Sequence, residues 1–166
     1  MIFATVGSRN YQFNRLFSKL DDLFDDGLIT EPLFAQIGTS SYKPKNYDYC
    51  NYFSQDDFLQ KIRESNIVIS HGGSGSIVKA LNEGKKVIIV VRLKKYGEHI
   101  NDHQILEANN FTSKCYALCA DLELNNLGDC IKLINEGRDG ILPWLKSDPQ
   151  IIVSLIDKFI QDNWYI

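Results

Sequence analysis

Apolar positions along the chain alternate between short runs of four or five and longer stretches in which they recur every three or four residues. That is the pattern of β and α elements in turn, and it implies a mostly parallel sheet. Ile2 to Val6 reads as a first strand, and after Gly7-Ser8 a helix from about Phe13 to Asp25 carries Phe13, Leu16, Phe17, Leu20, Leu23 and Phe24 on one face. Pro32 introduces a second strand, Leu33 to Ile37, which stops at Gly38-Thr39-Ser40-Ser41, and Tyr47 to Phe53 forms a third, more polar one. Ser54-Gln55-Asp56-Asp57 has the form of an N-cap with acidic residues in the first turn, predicting a helix to about Ser65. Ile67 to Ser70 is the fourth strand, followed by His71-Gly72-Gly73-Ser74-Gly75-Ser76 and a helix ending at Gly84, and Val87 to Val91 is the fifth. A helix from roughly Asn101 to Asn110, a strand near Cys115 to Leu118, a helix around Leu124 to Asn135 and a final helix from about Pro149 to Asp162 complete a single domain over residues 1–166.

Composition changes this picture little. With 166 residues, 44% apolar and 23% charged, the chain matches one ordinary globular domain without low-complexity tracts. Its longest apolar runs fall far short of the roughly 20 residues of a membrane span. The start, Met1 to Gly7, lacks a basic leader and reads as a buried strand, so the expected compartment is the cytoplasm. Cys50, Cys115, Cys119 and Cys130 fall in no C-x-x-C spacing and are expected as free buried thiols. A formal charge of -3 argues against a nucleic-acid partner, which a basic surface would hold.

Candidate chemistry lies where strands end. In open α/β sheets, ligands settle outside the carboxyl ends of the strands. Three polar turns follow apolar strands here and should converge: Gly7-Ser8, Gly38-Thr39-Ser40-Ser41, and His71-Gly72-Gly73-Ser74-Gly75-Ser76. In the third, glycines allow close backbone approach, hydroxyls and main-chain N–H groups donate to anionic oxygens, and the following helix adds partial positive charge. It suits a pyrophosphate, although glycines also serve a tight strand-to-helix turn without any ligand. A P-loop would need Lys-Ser or Lys-Thr after its glycines, whereas Ser76 is followed by Ile77-Val78-Lys79. A dinucleotide fingerprint belongs after the first strand, where only Gly7 stands.

The segment Arg92 to Gln104 is the second concentration. Ten of its thirteen residues are charged, amide-bearing, histidine or tyrosine. It follows another strand end, so Glu98 is placed to accept from ribose or sugar hydroxyls, and Asn101, His103 and Gln104 to bond a sugar. His99 and His103, four apart, share a face if helical, which leaves a metal pair open, but no third ligand of recognised spacing stands nearby. Lys94-Lys95 reads as either a solvated loop or an anion contact, and Asp102 as a helix cap.

Together these stretches resemble a known family, the C-terminal donor-binding domain of glycosyltransferase family 28. The chain looks most like its stand-alone members, the catalytic subunit of the dolichol-linked UDP-N-acetylglucosamine transferase and bacterial capsule and exopolysaccharide subunits. The resemblance runs from Phe3 to Ser8 with Phe13 to Leu16, through Gln36 to Ser40, to Ser70 to Ser76 and Gly97 to Gln104. It implies a single Rossmann-like domain, half of a GT-B fold, with a UDP-sugar donor, inversion at the anomeric carbon and no obligatory metal or other cofactor. It also implies that Gly72 to Ser76 form the diphosphate turn, that Gly7 and Ser8 face the donor phosphates, and that His103-Gln104 stand where the family has a Gln-Gln pair on the sugar. His103 is thus a departure, as are Lys79 in place of a ribose-binding glutamate and Val91 in place of a proline before Arg92.

The expected donor-binding set is therefore Gly7, Ser8, Gly38, Thr39, His71, Gly72, Gly73, Ser74, Gly75, Ser76, Arg92, Glu98, Asn101, His103 and Gln104. Glu98 and His99 are the candidates for a base. The resemblance implies a membrane-anchored partner subunit that completes the acceptor site, a polyprenyl-diphosphate-linked acceptor and a place at the inner face of the membrane, in cell-surface polysaccharide synthesis. The alternative is a non-catalytic or regulatory subunit that binds the nucleotide sugar.

Overall fold

The computed structural model describes residues 1–145 and 149–164. Its elements run β1 (Ile2–Thr5), α1 (Asn14–Asp25), β2 (Leu33–Gln36), β3 (Asp48–Cys50), α2 (Gln55–Glu64), β4 (Ile67–His71), α3 (Ser74–Asn82), β5 (Lys86–Val90), a 3-10 turn (Lys94–Tyr96), α4 (His103–Thr112), β6 (Leu118–Cys119), α5 (Leu127–Asn135) and α6 (Pro149–Trp164). The six strands pair in parallel throughout, in the order β3-β2-β1-β4-β5-β6.

Side chains that alternate along each strand feed two cores, one per face of the sheet. On one side Ile2, Ala4, Ile67, Ile69, Ile88 and Val90 meet Leu16, Phe17 and Leu20 of α1 and Leu127 and Ile131 of α5. On the other, Phe3, Val68, Val87 and Ile89 meet Ile62 of α2, Ile77, Ala80 and Leu81 of α3, and Ala108 of α4. The chain thus leaves β1 toward the first face and the neighbouring β4 toward the second. Their carboxyl ends diverge, which opens a crevice at the point where the strand order reverses.

Several expectations shift. β6 is Leu118–Cys119, because Cys115 sits at φ 55 in a turn, and α5 starts at Leu127, because Leu124 at φ 61 breaks the helix that periodicity had begun there. Asp121 fills that gap, its carboxylate accepting from the main chain of Glu123, Asn125 and Asn126. Ser54 does cap α2, accepting from the Asp57 N–H at 3.2 Å. Asp102 precedes α4 but caps none of its N–H groups: its Oδ1 accepts from Lys94 N at the start of the 3-10 turn, while Asn101 Oδ1 accepts from His103 N at the start of α4. Of the four free thiols only Cys130 is buried, and Cys115 is exposed. α6 forms, but residues 150–164 are exposed along its whole length, so it does not complete the domain as periodicity suggested. Both faces of the sheet are already covered, and the apolar stripe of Ile151, Ile152, Leu155, Ile156 and Phe159 is left open to solvent. No described helix is long and apolar enough to cross a membrane.

The loop after β5 is pinned by Glu98, which is 1% exposed. Its carboxylate accepts from Arg15 Nε and Nη2 at 3.1 and 3.0 Å and from Leu93 N at 2.9 Å, while Arg15 also donates to the carbonyls of Val91 and Leu122. Glu98 therefore holds the segment onto α1. Replacing Glu98 by Ala strands a half-buried guanidinium and an unpaired amide, and urea denaturation should show a loss of about 2–4 kcal/mol, with Gln recovering part of it.

Candidate functional site

β4 ends in His71, and its imidazole governs the geometry of the crevice. A Cβ on Gly7 would lie 2.5 Å from His71 Cε1, and one on Gly73 would lie 2.5 Å from His71 Nε2. Gly7 also sits at φ +69, which disfavours any side chain. A Cβ on Gly72 would meet the Cβ of Gln104 on α4 at 2.7 Å. These three glycines are thus required by protein packing, whatever the ligand. The ring is 9% exposed, and burial, with the charge of Arg92 second, lowers its pKa to about 3. His71 is accordingly a neutral imidazole at physiological pH.

α3 begins at Ser74, and its cap residue, Gly73, supplies no side-chain acceptor to the first-turn N–H groups. They stay available to an anion, with the partial positive charge of the helix terminus behind them. Ser74 and Gly75 are exposed. The hydroxyl of Ser76 is turned inward instead, 2.7 Å from Ser70 Oγ and 3.1 Å from the Gly73 carbonyl it donates to. Ser74 is the hydroxyl of this turn that has no hydrogen-bond partner among the described residues.

Around this helix mouth lies a cleft of about 620 Å3, within the usual range for small-molecule sites. Gly7, Ser8 and Arg9 form one wall and Gly73 to Ser76 the other, with His71 and Gln36 between. Gln36 is fixed from below, accepting from Thr5 Oγ1 at 2.9 Å. One end is aromatic, with Phe53 and Phe58 beside Ser54, Gln55 and Lys79, whose Nζ lies 5.6 Å from the Phe58 ring centroid. The other end is polar, built from His99, His103, Gln104 and Glu107. There Gln104 Oε1 accepts from Arg92 N at 3.0 Å, which leaves its amide nitrogen as the free donor, and His103 Nε2 faces Glu107 Oε1 at 3.4 Å. Such a cleft can take an anion in the middle, with an apolar surface at one end and hydrogen-bonding groups at the other.

Of the expected set, the cleft gathers Gly7, Ser8, His71, Gly73, Ser74, Gly75, Ser76, His99, His103 and Gln104. Six residues fall outside it. Gly38 and Thr39 belong to a loop turned toward α1, where Ser40 Oγ accepts from Phe13 N and Ser41 Oγ from Asn14 Nδ2. Gly72 is covered by Gln104, and Asn101 orients its neighbours, its Oδ1 lying 3.1 Å from His99 Nδ1. Glu98 is consumed by Arg15 and Leu93, so it is free neither for a ribose nor as a base, and Arg92 is wholly buried behind the wall. His99 lies in the loop before α4, so it shares no helical face with His103, and no cluster of three metal-ligating side chains occurs among the described residues. Reading by sequence passed over Arg9, Gln36, Phe53, Ser54, Gln55, Phe58 and Glu107 as site residues. The turn after β3 leads into α2, and the strand-end rule applied there would have found the aromatic end.

An all-parallel sheet of order 3-2-1-4-5-6 defines a Rossmann-like α/β domain, with its glycine-rich turn after the fourth strand, on the other side of the switch point from the dinucleotide arrangement. More particularly, residues 1–139 match the glycosyltransferase family 28 C-terminal domain, and the chain belongs to that family. It is 28% identical over 111 residues to the human UDP-N-acetylglucosamine transferase subunit ALG13, covering 63% of this chain and 9% of that protein. It is 31% identical over 94 residues to the UDP-N-acetylglucosamine--N-acetylmuramyl-(pentapeptide) pyrophosphoryl-undecaprenol N-acetylglucosamine transferase of Borrelia turicatae, covering 56% of this chain and 24% of that one. The chain thus spans a small part of these relatives. Among solved folds, MurG of Acinetobacter baumannii superposes with a TM-score of 0.60 at 16% identity over 93% of this chain and 49% of MurG. The solution structure of ALG13 does so with 0.57 at 21% over 93% of both.

Two predictions follow from His71. Gly73→Ala should lower stability by about 1–3 kcal/mol in thermal or urea unfolding, and the cost should shrink when His71 is also Ala; an unchanged cost would show that the imidazole is not what excludes the Cβ. Because the folded pKa of about 3 lies below the ordinary 6.5, the unfolded chain binds more protons between those values, and stability is lost as the pH drops from 6.5 toward 3. Relative to a His71→Asn variant, the native chain should lose about 2 kcal/mol more between neutral pH and about pH 4.5.

Proposed function

We propose that this chain binds the donor of a UDP-sugar-dependent glycosyl transfer and acts as the donor-binding, catalytic half of a two-component inverting enzyme. The observation that carries the reading is the uncapped first turn of α3 at the centre of a cleft with an aromatic end and a polar end. The diphosphate meets the N–H groups at Ser74 to Ser76, the uracil lies toward Phe53 and Phe58, and the sugar lies toward His103, Gln104 and Glu107. The names of the human and Borrelia relatives, both transferases of N-acetylglucosamine from UDP, favour that sugar.

In the reaction an acceptor hydroxyl attacks the anomeric carbon as UDP departs. The negative charge that builds on the leaving diphosphate is met by main-chain N–H groups already oriented in a helix mouth, without an obligatory metal. The attacking hydroxyl must lose a proton. With Glu98 tied to Arg15, the base candidate left on this chain is His99, which lines the cleft with Nδ1 held 3.1 Å from the Asn101 main-chain and side-chain oxygens. Support for a partner comes from α6, where Ile151, Ile152, Leu155, Phe159 and Trp164 are each more than half exposed. An apolar stripe of that size suits the matching apolar surface of a second, membrane-anchored subunit that brings a lipid-linked acceptor to the cytoplasmic face of the membrane. Synthesis of a cell-surface polysaccharide such as a capsule or exopolysaccharide is the setting this implies.

Calorimetry should find UDP binding in roughly the micromolar to millimolar range. Sugar transfer to a polyprenyl-diphosphate acceptor should appear only when a membrane-anchored partner is added and should survive a chelator. Transfer by the lone chain would contradict the two-component reading, loss of transfer on chelation would contradict the metal-free reading, and UDP binding with no transfer under any pairing would assign the chain a regulatory role.

A further inference from the structure

Arg92 is fully buried, at 0% exposure, and yet poorly paired. Nη2 donates to the Tyr11 carbonyl at 3.0 Å and the guanidinium lies 5.7 Å from the centroid of the Phe13 ring, while Nε and Nη1 have no hydrogen-bond partner among the described residues. Among the described residues no carboxylate stands at ion-pair distance from it. Glu98, which acts on it from further away, already accepts both Arg15 Nε and Arg15 Nη2. Arg15, Glu98 and Arg92 therefore form a cluster of two cations and one anion, with a net positive charge under the loop Gly7 to Tyr11. Burial pulls the Arg92 pKa down to about 10, so it remains charged at neutral pH.

Proteins rarely keep a buried guanidinium with two open N–H groups, because its desolvation is compensated only by a partner charge. The loop above Arg92 begins with Gly7, Ser8 and Arg9, a wall of the cleft, and His71 on the cleft floor feels the Arg92 charge. Arg9 and Lys79 also line the cleft, but they are exposed and screened by solvent, whereas a charge inside the protein is not. We propose that Arg92 is a positioning residue whose uncompensated buried charge, together with its grip on the Tyr11 carbonyl, makes the cleft select ligands by the negative charge of their phosphate chain. The inference rests on the nucleotide reading above and deepens it: an anion in the cleft is the counter-charge that the unliganded fold lacks.

The test compares uridine, UMP and UDP by calorimetry at fixed ionic strength on the native chain and on Arg92→Met, Arg92→Gln and Arg92→Lys. In the Met and Gln variants uridine affinity should stay within about twofold, UMP should weaken by roughly tenfold and UDP by roughly thirty- to a hundredfold, while Lys keeps most of the step between ligands. The melting temperature of the unliganded Met variant should equal or exceed that of the native chain, and its upward shift on adding UDP should be smaller. Gln can still donate to Tyr11, so it separates charge from loop support if the Met variant does not fold. A loss of equal size for all three ligands, or native UDP affinity in the Gln variant, overturns the proposal. If the native chain binds no UDP, the nucleotide reading fails first; if it binds UDP and the variants keep the native ratio of UDP to uridine, only this inference fails.

Discussion

The imidazole of His71 occupies the space where β1 and β4 part, and much of the cleft follows from accommodating it. Gly7 and Gly73 carry no side chain because the ring stands where a Cβ would be, and with those side chains absent the main chain of two loops comes within reach of the same ligand volume. Gly72 performs the same service for Gln104 and so brings the start of α4 against the turn. Buried polar packing thus shapes the walls, and the uncapped end of α3 is what those walls enclose.

Behind the walls is a second layer of polar contacts made by residues outside the cleft lining. Glu98 binds α1 to the loop after β5, the Arg92 main chain orients Gln104, Asn101 orients His99, and Thr5 orients Gln36. Groups held in this way need little rearrangement when a ligand arrives, which is the condition for electrostatic stabilisation of a departing diphosphate. The cleft lies at the carboxyl edge of the strands, the edge at which open α/β sheets take their ligands.

Strands and helices were largely legible, because buried parallel strands are continuous apolar runs and α1 repeats its apolar residues every three to four positions. Misplaced boundaries trace to residues whose backbone breaks the period, Cys115 and Leu124 with positive φ. The glycine-rich turn after β4 and the histidines after β5 were legible as polar residues at strand ends, and they do line the cleft. Glu98, Arg92, Gly38 and Thr39 looked the same in sequence as ligand-facing groups. Glu98 is assigned by Arg15, Arg92 by Tyr11 and Gly38 by the main chain of Asn51, and local spacing holds no trace of which partner each meets. The aromatic end was missed because Phe53 stood only as the end of the third strand and Phe58 lay inside the helix that follows Ser54, with no polar group to mark either.

The central claim is that the first turn of α3 holds a diphosphate, and a two-dimensional 1H-15N spectrum recorded during a UDP titration tests it most directly. The amide resonances of Ser74, Gly75 and Ser76 should move furthest, followed by those of Gly7, Ser8 and Arg9. A spectrum that stays unchanged, or one whose largest shifts fall in the groove around Lys45 to Asp48 on the edge of the sheet, would contradict it.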